Sequence, residues 1–423
     1  MPQYSFLQFK LVGERTVDLN WRKEYCGIYE YEFNNITYYF IDNKHYFDRD
    51  RLFGYDDDIE RFSFFSKAVL DMFPIISFYP DVIHAHDWQC GMTCVFLKIL
   101  EWQNPKYEHI KSVFSIHNLT YQGRGDFNLV KDLLNVDDKF TYLFDFYGGA
   151  NITKATLLCA DHVVAVSKTY KQEIQETDKG NGLQNVLNEI DYKFSSIING
   201  IDYEFYNPAT DPILYQNYGE ETIENRIINK TKLQEELGID IDENKPLFCF
   251  IGHMSTVKGM DLIRQIIEKY LDSGIQFIAV GGGSQEYENY LRGINERYPN
   301  SAKIIFGYNR HLAKKFYAGA DFLINISSVE PCGLCPLIAN KYGCLPIVFA
   351  TGGLKDNFTD FKHEGNGYIL RDYNITDFCD LIDRAIHDFE NKEKIQKYML
   401  QGMKENFSVE DCAKKYLDLY NEI

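Results

Sequence analysis

No run of the 423-residue chain is apolar for long enough to span a bilayer. Nor does the opening Met1-Pro2-Gln3-Tyr4 form the charged-then-apolar leader of a signal peptide, so export is not expected. Positive charge is in short supply: 44 Lys and Arg face 62 Asp and Glu, a formal net charge of −18. That balance argues against a nucleic-acid partner, whose phosphates would be repelled, and leaves a neutral partner such as a polysaccharide open. Cysteine is present but unorganised. The ten are scattered, and with no export signal before them they are read as reduced thiols of a cytoplasmic protein. Glycine-rich turns occur, yet none has the spacing of a dinucleotide fingerprint or a Walker loop. What remains is a globular composition, 45% hydrophobic and 15% aromatic, in a length natural for two domains that each bury a core.

Near the N-terminus Tyr29, Tyr31 and Phe33 alternate with Glu30 and Glu32, the period of a half-buried strand. Asn34-Asn35 turns it into a second strand over Ile36-Thr37-Tyr38-Tyr39-Phe40-Ile41. Ile59, Phe62, Phe65, Val69 and Met72 then recur at helical spacing. Buried strands are expected at Asp81–His84, Ser112–Ile116, Val163–Val166 and Ser196–Ile198. A polar, charged stretch from Asn207 to Asn244 is expected to separate the halves. A second series follows at Leu247–Ile251, Phe277–Val280, Lys303–Phe306, Phe322–Ile326 and Leu345–Val348. Uniformly apolar strands alternating with helices predict parallel sheets covered on both faces. The expected architecture is α/β, two doubly wound, Rossmann-like domains facing a cleft. The N-terminal one spans 1–206 and the C-terminal one 207–404, with a last helix in 405–423 running from Phe407 through Tyr420. Ligands of such sheets sit at the C-terminal ends of strands, where the candidate motifs fall.

Glu330-Pro331-Cys332-Gly333-Leu334 follows the apolar run Phe322–Ser327, so an acid stands where a strand hands over to a helix. Proline suits the first helical turn, and the open N–H groups of that turn favour an anion. Acid and anion site together suit an enzyme that holds a sugar and a diphosphate at once. His84-Ala85-His86-Asp87-Trp88 also ends a strand. Its His-x-His-Asp cluster invites a metal, but no later His or carboxylate motif completes a site, so none is expected. Two readings stay open there: a packed strand-end turn, or an Asp87 that hydrogen-bonds an acceptor. His117-Asn118-Leu119 closes another strand, and two strand-end histidine sites in one half-sheet favour a polar cleft. Asn199-Gly200-Ile201-Asp202 reads equally as an ordinary turn. Lys258, in Gly252-His253-Met254-Ser255-Thr256-Val257-Lys258-Gly259, is placed either to neutralise phosphate or simply on the surface. Gly281-Gly282-Gly283-Ser284 and Thr351-Gly352-Gly353-Leu354 are glycine turns; the second could lay backbone amides against a hydroxyl or phosphate. Cys332-Gly333-Leu334-Cys335 has no second CxxC and is read as two unpaired thiols.

In order along the chain these motifs resemble the bacterial and plant glycogen and starch synthases. His84-Ala85-His86-Asp87-Trp88, His117-Asn118-Leu119, Val166-Ser167-Lys168-Thr169-Tyr170, Asn199-Gly200-Ile201-Asp202, Lys258-Gly259, Glu330-Pro331-Cys332-Gly333-Leu334 and Thr351-Gly352-Gly353-Leu354 all stand in family order. The resemblance implies a GT-B fold and a retaining transfer of glucose from ADP-glucose to the non-reducing end of an α-1,4-glucan, glycogen or a maltooligosaccharide. It implies no metal and no other cofactor. Glu330 would grip the donor glucose hydroxyls, His117 would sit beside the transferred sugar, and Asp87 would lie near the acceptor or the reacting centre. Lys258 would hold the diphosphate and Asn199 would line the same site. Amides around Gly333, Leu334, Gly352 and Gly353, in the turn opened by Thr351, would bind donor sugar and phosphate.

The chain departs from the family at four places. The family opens with a strand and a Lys-x-Gly-Gly-Leu loop that cradles the nucleotide sugar, and none is found here. Met1-Pro2-Gln3-Tyr4-Ser5 resembles the family's Leu-Pro-x-Tyr segment, which follows the first βαβ unit. A first domain lacking that unit, at least ~30 residues of sheet core, is therefore expected. His253 replaces a phosphate-clamping arginine, Ser327-Ser328-Val329 precedes the acid in place of Ser-Arg-Phe or Ser-Leu-Phe, and Cys335-Pro336 replaces a Thr-Gln or Gly-Gln pair. Two alternatives to an active synthase stay open on these departures. One is a catalytically impaired homologue that binds glucan or a synthase. The other is a GT-B transferase using a different nucleotide sugar.

Overall fold

The computed structural model describes residues 8–101, 104–134 and 138–423, so Met1-Pro2-Gln3-Tyr4-Ser5 lies outside them. The chain divides into two units. The first runs to Val166 and adds Lys171–Ser196 and the terminal Asp418–Ile423; the second holds Ser167–Tyr170 and Ile197–Leu417. These breaks differ from the expected ones at 206/207 and 404/405, for a backbone reason. The Ile201 N–H donates to Phe407 O (2.7 Å) and the Val409 N–H to Ile201 O (3.0 Å), which ties Asn199–Asp202 to the second unit. The last helix, Val409–Glu422, accordingly begins in the second unit and ends in the first.

The first unit carries an antiparallel sheet of Lys10–Leu19, Arg22–Phe33 and Ile36–Asp42. Asn34 (φ 50°) and Asn35 (φ 61°) supply the two left-handed residues that a tight hairpin turn requires. Lys10–Leu19 was not anticipated, because its hydrophobic side chains are few and only Val17 and Leu19 are fully buried. The helix Asp58–Ile76 buries Phe64, Ala68, Leu70 and Phe73 beside the expected stripe. Four parallel strands follow, Val82–His86, Lys111–Ile116, His162–Ala165 and Phe194–Ser196, adjacent in chain order. The last starts earlier than expected and stops where Ile197 passes to the second unit.

The second unit is a six-stranded parallel sheet. In space Ala302–Phe306, Gln276–Gly281, Leu247–Ile251, Phe322–Asn325, Leu345–Phe349 and Tyr368–Leu370 lie side by side. Numbered along the chain this is the doubly wound order 3-2-1-4-5-6, and the winding reverses between Leu247–Ile251 and Phe322–Asn325. The stretch Asn207–Asn244 does not separate domains; it belongs to this unit. Its helix Arg226–Leu237 buries two of its charges, Arg226 and Lys230, and leaves Lys232, Glu235 and Glu236 exposed. Lys230 donates to Asp321 (2.7 Å) and to the carbonyls of Glu243 (3.0 Å) and Lys245 (2.7 Å), while Arg226 donates to the carbonyls of Tyr342, Tyr317 and Ala320. A charged sequence can thus serve as core once each charge is paired.

Candidate active site

In the second unit the two strands that flank the reversal of winding each end in a candidate residue. Leu247–Ile251 leads to a short 3-10 turn, Thr256–Lys258, ahead of the helix Met260–Asp272. Phe322–Asn325 leads to Ser327 and Glu330 ahead of the helix Leu334–Lys341. Lys258 Nζ stands 2.6 Å from Glu330 Oε2, the lysine side chain 31% exposed and the carboxylate 12%. The buried Ser327 hydroxyl lies 2.9 Å from the same oxygen and 2.8 Å from Asn325 Oδ1. A cation and an acid are thus held side by side where ligands of this topology bind, next to two helix N-termini that favour negative charge.

The Thr351-Gly352-Gly353 turn is the bed on which Glu330 rests. The Gly353 N–H donates to Glu330 O (3.0 Å), and a Cβ at Gly353 would come within 2.3 Å of Cys332 O. Thr351 is buried, with its hydroxyl donated to Ser328 O (3.3 Å). Sequence reasoning placed Thr351 and Gly353 in a turn that binds donor sugar and phosphate; in the structure the side chain of the one and the amide of the other bond the acid's own loop. Gly352 carries φ 44° in the same turn, and its Cβ position lies 2.1 Å from Glu330 O. Gly333 (φ 86°) caps the helix that Leu334, 41% exposed, begins. Asn199 lies beside the same loop, its carbonyl 3.9 Å from Cys332 Sγ.

His253, Cys335, Tyr308, Asn309, Gly281 and Gly282 line a cavity of about 290 Å³ at the C-terminal strand ends, floored by Ile251 and Val280. The two loops touch backbone to backbone, since a Cβ at Gly281 would lie 1.8 Å from Gly252 O, which explains the run of glycines. Burial pushes the Cys332 thiol up to about 12 and raises that of Cys335, so neither is a ready thiolate.

In the first unit Asp87 adopts a left-handed φ of 58° at the end of Val82–His86. Its Oδ1 accepts the N–H groups of His117 (2.8 Å) and Asn118 (3.2 Å). Sequence reasoning set Asp87 near the acceptor or the reacting centre; in the structure this oxygen anchors the backbone that carries His117. His86 Nδ1 lies 3.0 Å from His117 Nε2. Among the described residues no group of three or more His, Cys, Asp and Glu is arranged to hold a metal ion, and no helix is long and apolar enough to cross a membrane.

Residues 1–189 match the model of the starch synthase catalytic domain, and residues 231–401 that of group 1 glycosyl transferases. A glycogen synthase of Anoxybacillus flavithermus is 38% identical over all of this chain and 88% of its own length, and one of Bacillus cereus 39% over all of this chain and 91% of its own. The chain belongs to the glycogen synthase family. It is therefore a hexosyltransferase with the GT-B fold. Among solved structures, the catalytic domain of starch synthase IV from Arabidopsis thaliana, bound to ADP and acarbose, superposes with a TM-score of 0.91 at 28% identity, covering 98% of this chain and 88% of that one. Sucrose-phosphate synthase from Thermosynechococcus elongatus, at a TM-score of 0.58 and 16% identity over 88% of this chain and 80% of its own, shares the fold.

Within the second unit of this synthase the structure gathers Lys258, Glu330, Gly333, Gly352, Gly353 and Thr351 around one loop, with Asn199 at its edge, and sets His253 in the neighbouring cavity. Within the first it gathers Asp87 and His117. Sequence reasoning missed Ser327, whose hydroxyl reaches Glu330, and Tyr308, whose ring is 80% exposed at the cavity. The short Ser-x-x-Glu spacing was a signal for the first. A lone aromatic after a strand gave none for the second.

Proposed function

We propose that this synthase transfers glucose from ADP-glucose to the non-reducing end of an α-1,4-glucan with retention of configuration. The observation that carries this reading is the Lys258–Glu330 pair, 2.6 Å apart at the reversal of winding. Glu330 holds the hydroxyls of the donor glucose. Lys258 neutralises the diphosphate as it departs, the electrostatic work on which this transfer most depends. The cavity beside His253 takes the nucleotide base, with Tyr308 as a flat apolar surface and Ile251 and Val280 behind it. Gly333 and Leu334 turn the start of a helix toward the phosphates.

His117 stands beside the transferred sugar, and Asp87 fixes its backbone. The acceptor hydroxyl attacks from the face the diphosphate leaves, and a phosphate oxygen of ADP takes its proton. No metal is assigned, since Lys258 supplies the cation. The ten cysteines stand as thiols, which supports a reducing, cytoplasmic setting. The test is a donor comparison. ADP-glucose and UDP-glucose are offered with maltotetraose, and the new linkage is read by proton NMR. Preference for ADP-glucose with an α-linked product is expected; equal or greater use of UDP-glucose, or a β-linkage, refutes the assignment.

A further inference from the structure

A row of polar side chains joins the last turn of the chain to His117, and the transfer described above uses none of them but His117. Tyr420 lies in the terminal segment Asp418–Ile423, which packs within the first unit. Its hydroxyl is 2.6 Å from His84 Nδ1, and the two rings meet edge to face at 5.8 Å and 83°. On the other side of the ring, His84 Nε2 is 2.7 Å from Ser115 Oγ. A neutral imidazole has one donor and one acceptor, and a hydroxyl can be either, so both nitrogens of His84 are satisfied without a charge.

His84 and His86 are two apart on one strand and share a face. Their rings stack with centroids 4.1 Å apart at 30°. His86 in turn meets His117 through the 3.0 Å contact of Nδ1 with Nε2, across which one N–H must lie. Burial, then the neighbouring His86 and His117, push His84 down to about 3; burial and His117 also lower His86. The two strand histidines are therefore uncharged near neutral pH. Phenylalanine at 420 would keep the edge-to-face ring contact, but only a hydroxyl reaches His84 Nδ1.

We propose that Tyr420, Ser115 and His84 are positioning residues that act through the stacked His86 ring to fix the ring plane of His117. The proposal rests on the reading of His117 as the residue beside the transferred sugar. The end of the chain is then more than an anchor, because it sets the geometry of a strand-end histidine from the opposite side of a stacked pair.

Tyr420→Phe removes one hydroxyl from the row and Ser115→Ala removes the other, from a different element. Each is expected to lower kcat by about 5- to 10-fold, with KM for ADP-glucose and for glucan within about two-fold, because only the alignment of a group acting in the transition state is lost. Against a His117→Ala background neither substitution should lower the residual rate further, since residues that act through one another are not additive. Unchanged kcat in both variants overturns the proposal, as does an equal drop with or without His117. If Tyr420→Phe also lowers the unfolding midpoint, Ser115→Ala decides: reduced kcat supports the row, unchanged kcat overturns it. A His117→Ala enzyme as fast as the parent refutes the assignment of His117 itself, an outcome distinct from the others.

Discussion

Replacing Lys258 with alanine separates the catalytic from the structural worth of the ion pair. Lys258 Nζ and Glu330 Oε2 are 2.6 Å apart, with side chains 31% and 12% exposed. Two unit charges ~4 Å apart interact by about 4 kcal/mol at an effective dielectric of ~20, the regime of a pair near the surface. The same lysine facing a departing diphosphate works on a comparable scale, reduced by its exposure to roughly 3 kcal/mol, or about 10²-fold in kcat/KM. The folded state loses far less. Glu330 keeps the Ser327 hydroxyl at 2.9 Å, and a partly exposed pair contributes only ~1 kcal/mol. Lys258→Ala should therefore lose about 100-fold in kcat/KM for ADP-glucose while its urea midpoint moves little, and Lys258→Arg should recover part of the rate because it keeps the charge. Initial rates over a range of donor concentrations, with unfolding curves alongside, make the check. A kcat/KM within about three-fold of the parent would refute the electrostatic argument.

Gly353→Ala should destabilise by about 1–3 kcal/mol and reduce transfer, since the new Cβ would lie 2.3 Å from Cys332 O and displace the loop that carries Glu330; thermal unfolding and rate measurements read both. Asp87→Ala leaves the amides of His117 and Asn118 without their acceptor and should cost about 1–3 kcal/mol, whereas Asp87→Asn, which keeps a carbonyl oxygen, should cost less; chemical denaturation compares them. Folding pushes His84 from 6.5 down to about 3, so between those values the unfolded chain binds a proton that the folded chain does not. The stability this neutral histidine contributes is full above pH 6.5 and is lost as pH falls toward 3. Urea midpoints should therefore fall less between pH 7 and pH 5 in His84→Asn than in the parent, and equal falls would refute the linkage.

Much of the fold was legible because its strands are short and uniformly apolar. Leu247–Ile251 and Gln276–Gly281 are buried nearly throughout, as strands covered on both faces must be. The hairpin at Asn34-Asn35 was legible from residues that tolerate a left-handed backbone. The helix Arg226–Leu237 was not, because Lys230 and Arg226 look solvent-exposed until Asp321 and five backbone carbonyls are known to meet them. Tyr368–Leu370 was missed for its brevity.

At the site, the sequence marked where Glu330 and Lys258 stand, since strand-end motifs point to the ligand edge of a parallel sheet. It did not show that they touch, nor that Thr351 and Gly353 bond inward to the loop of Glu330. Those partners lie on other turns, and a local pattern carries no information on which way a hydroxyl or an amide faces. The bond from Tyr420 to His84 joins residues 336 positions apart and leaves no trace in either neighbourhood.

The central claim is that Glu330 holds the donor glucose beside Lys258 and that transfer follows from it. Its most direct test is the rate of glucose transfer from ADP-glucose to maltooligosaccharide by the chain and by Glu330→Gln, which keeps the shape of the side chain and removes its charge. Transfer by the parent, reduced about 100-fold or more in the glutamine variant with folding intact, is the predicted result. Equal transfer by both, or none by a folded parent that still binds glucan, would contradict it.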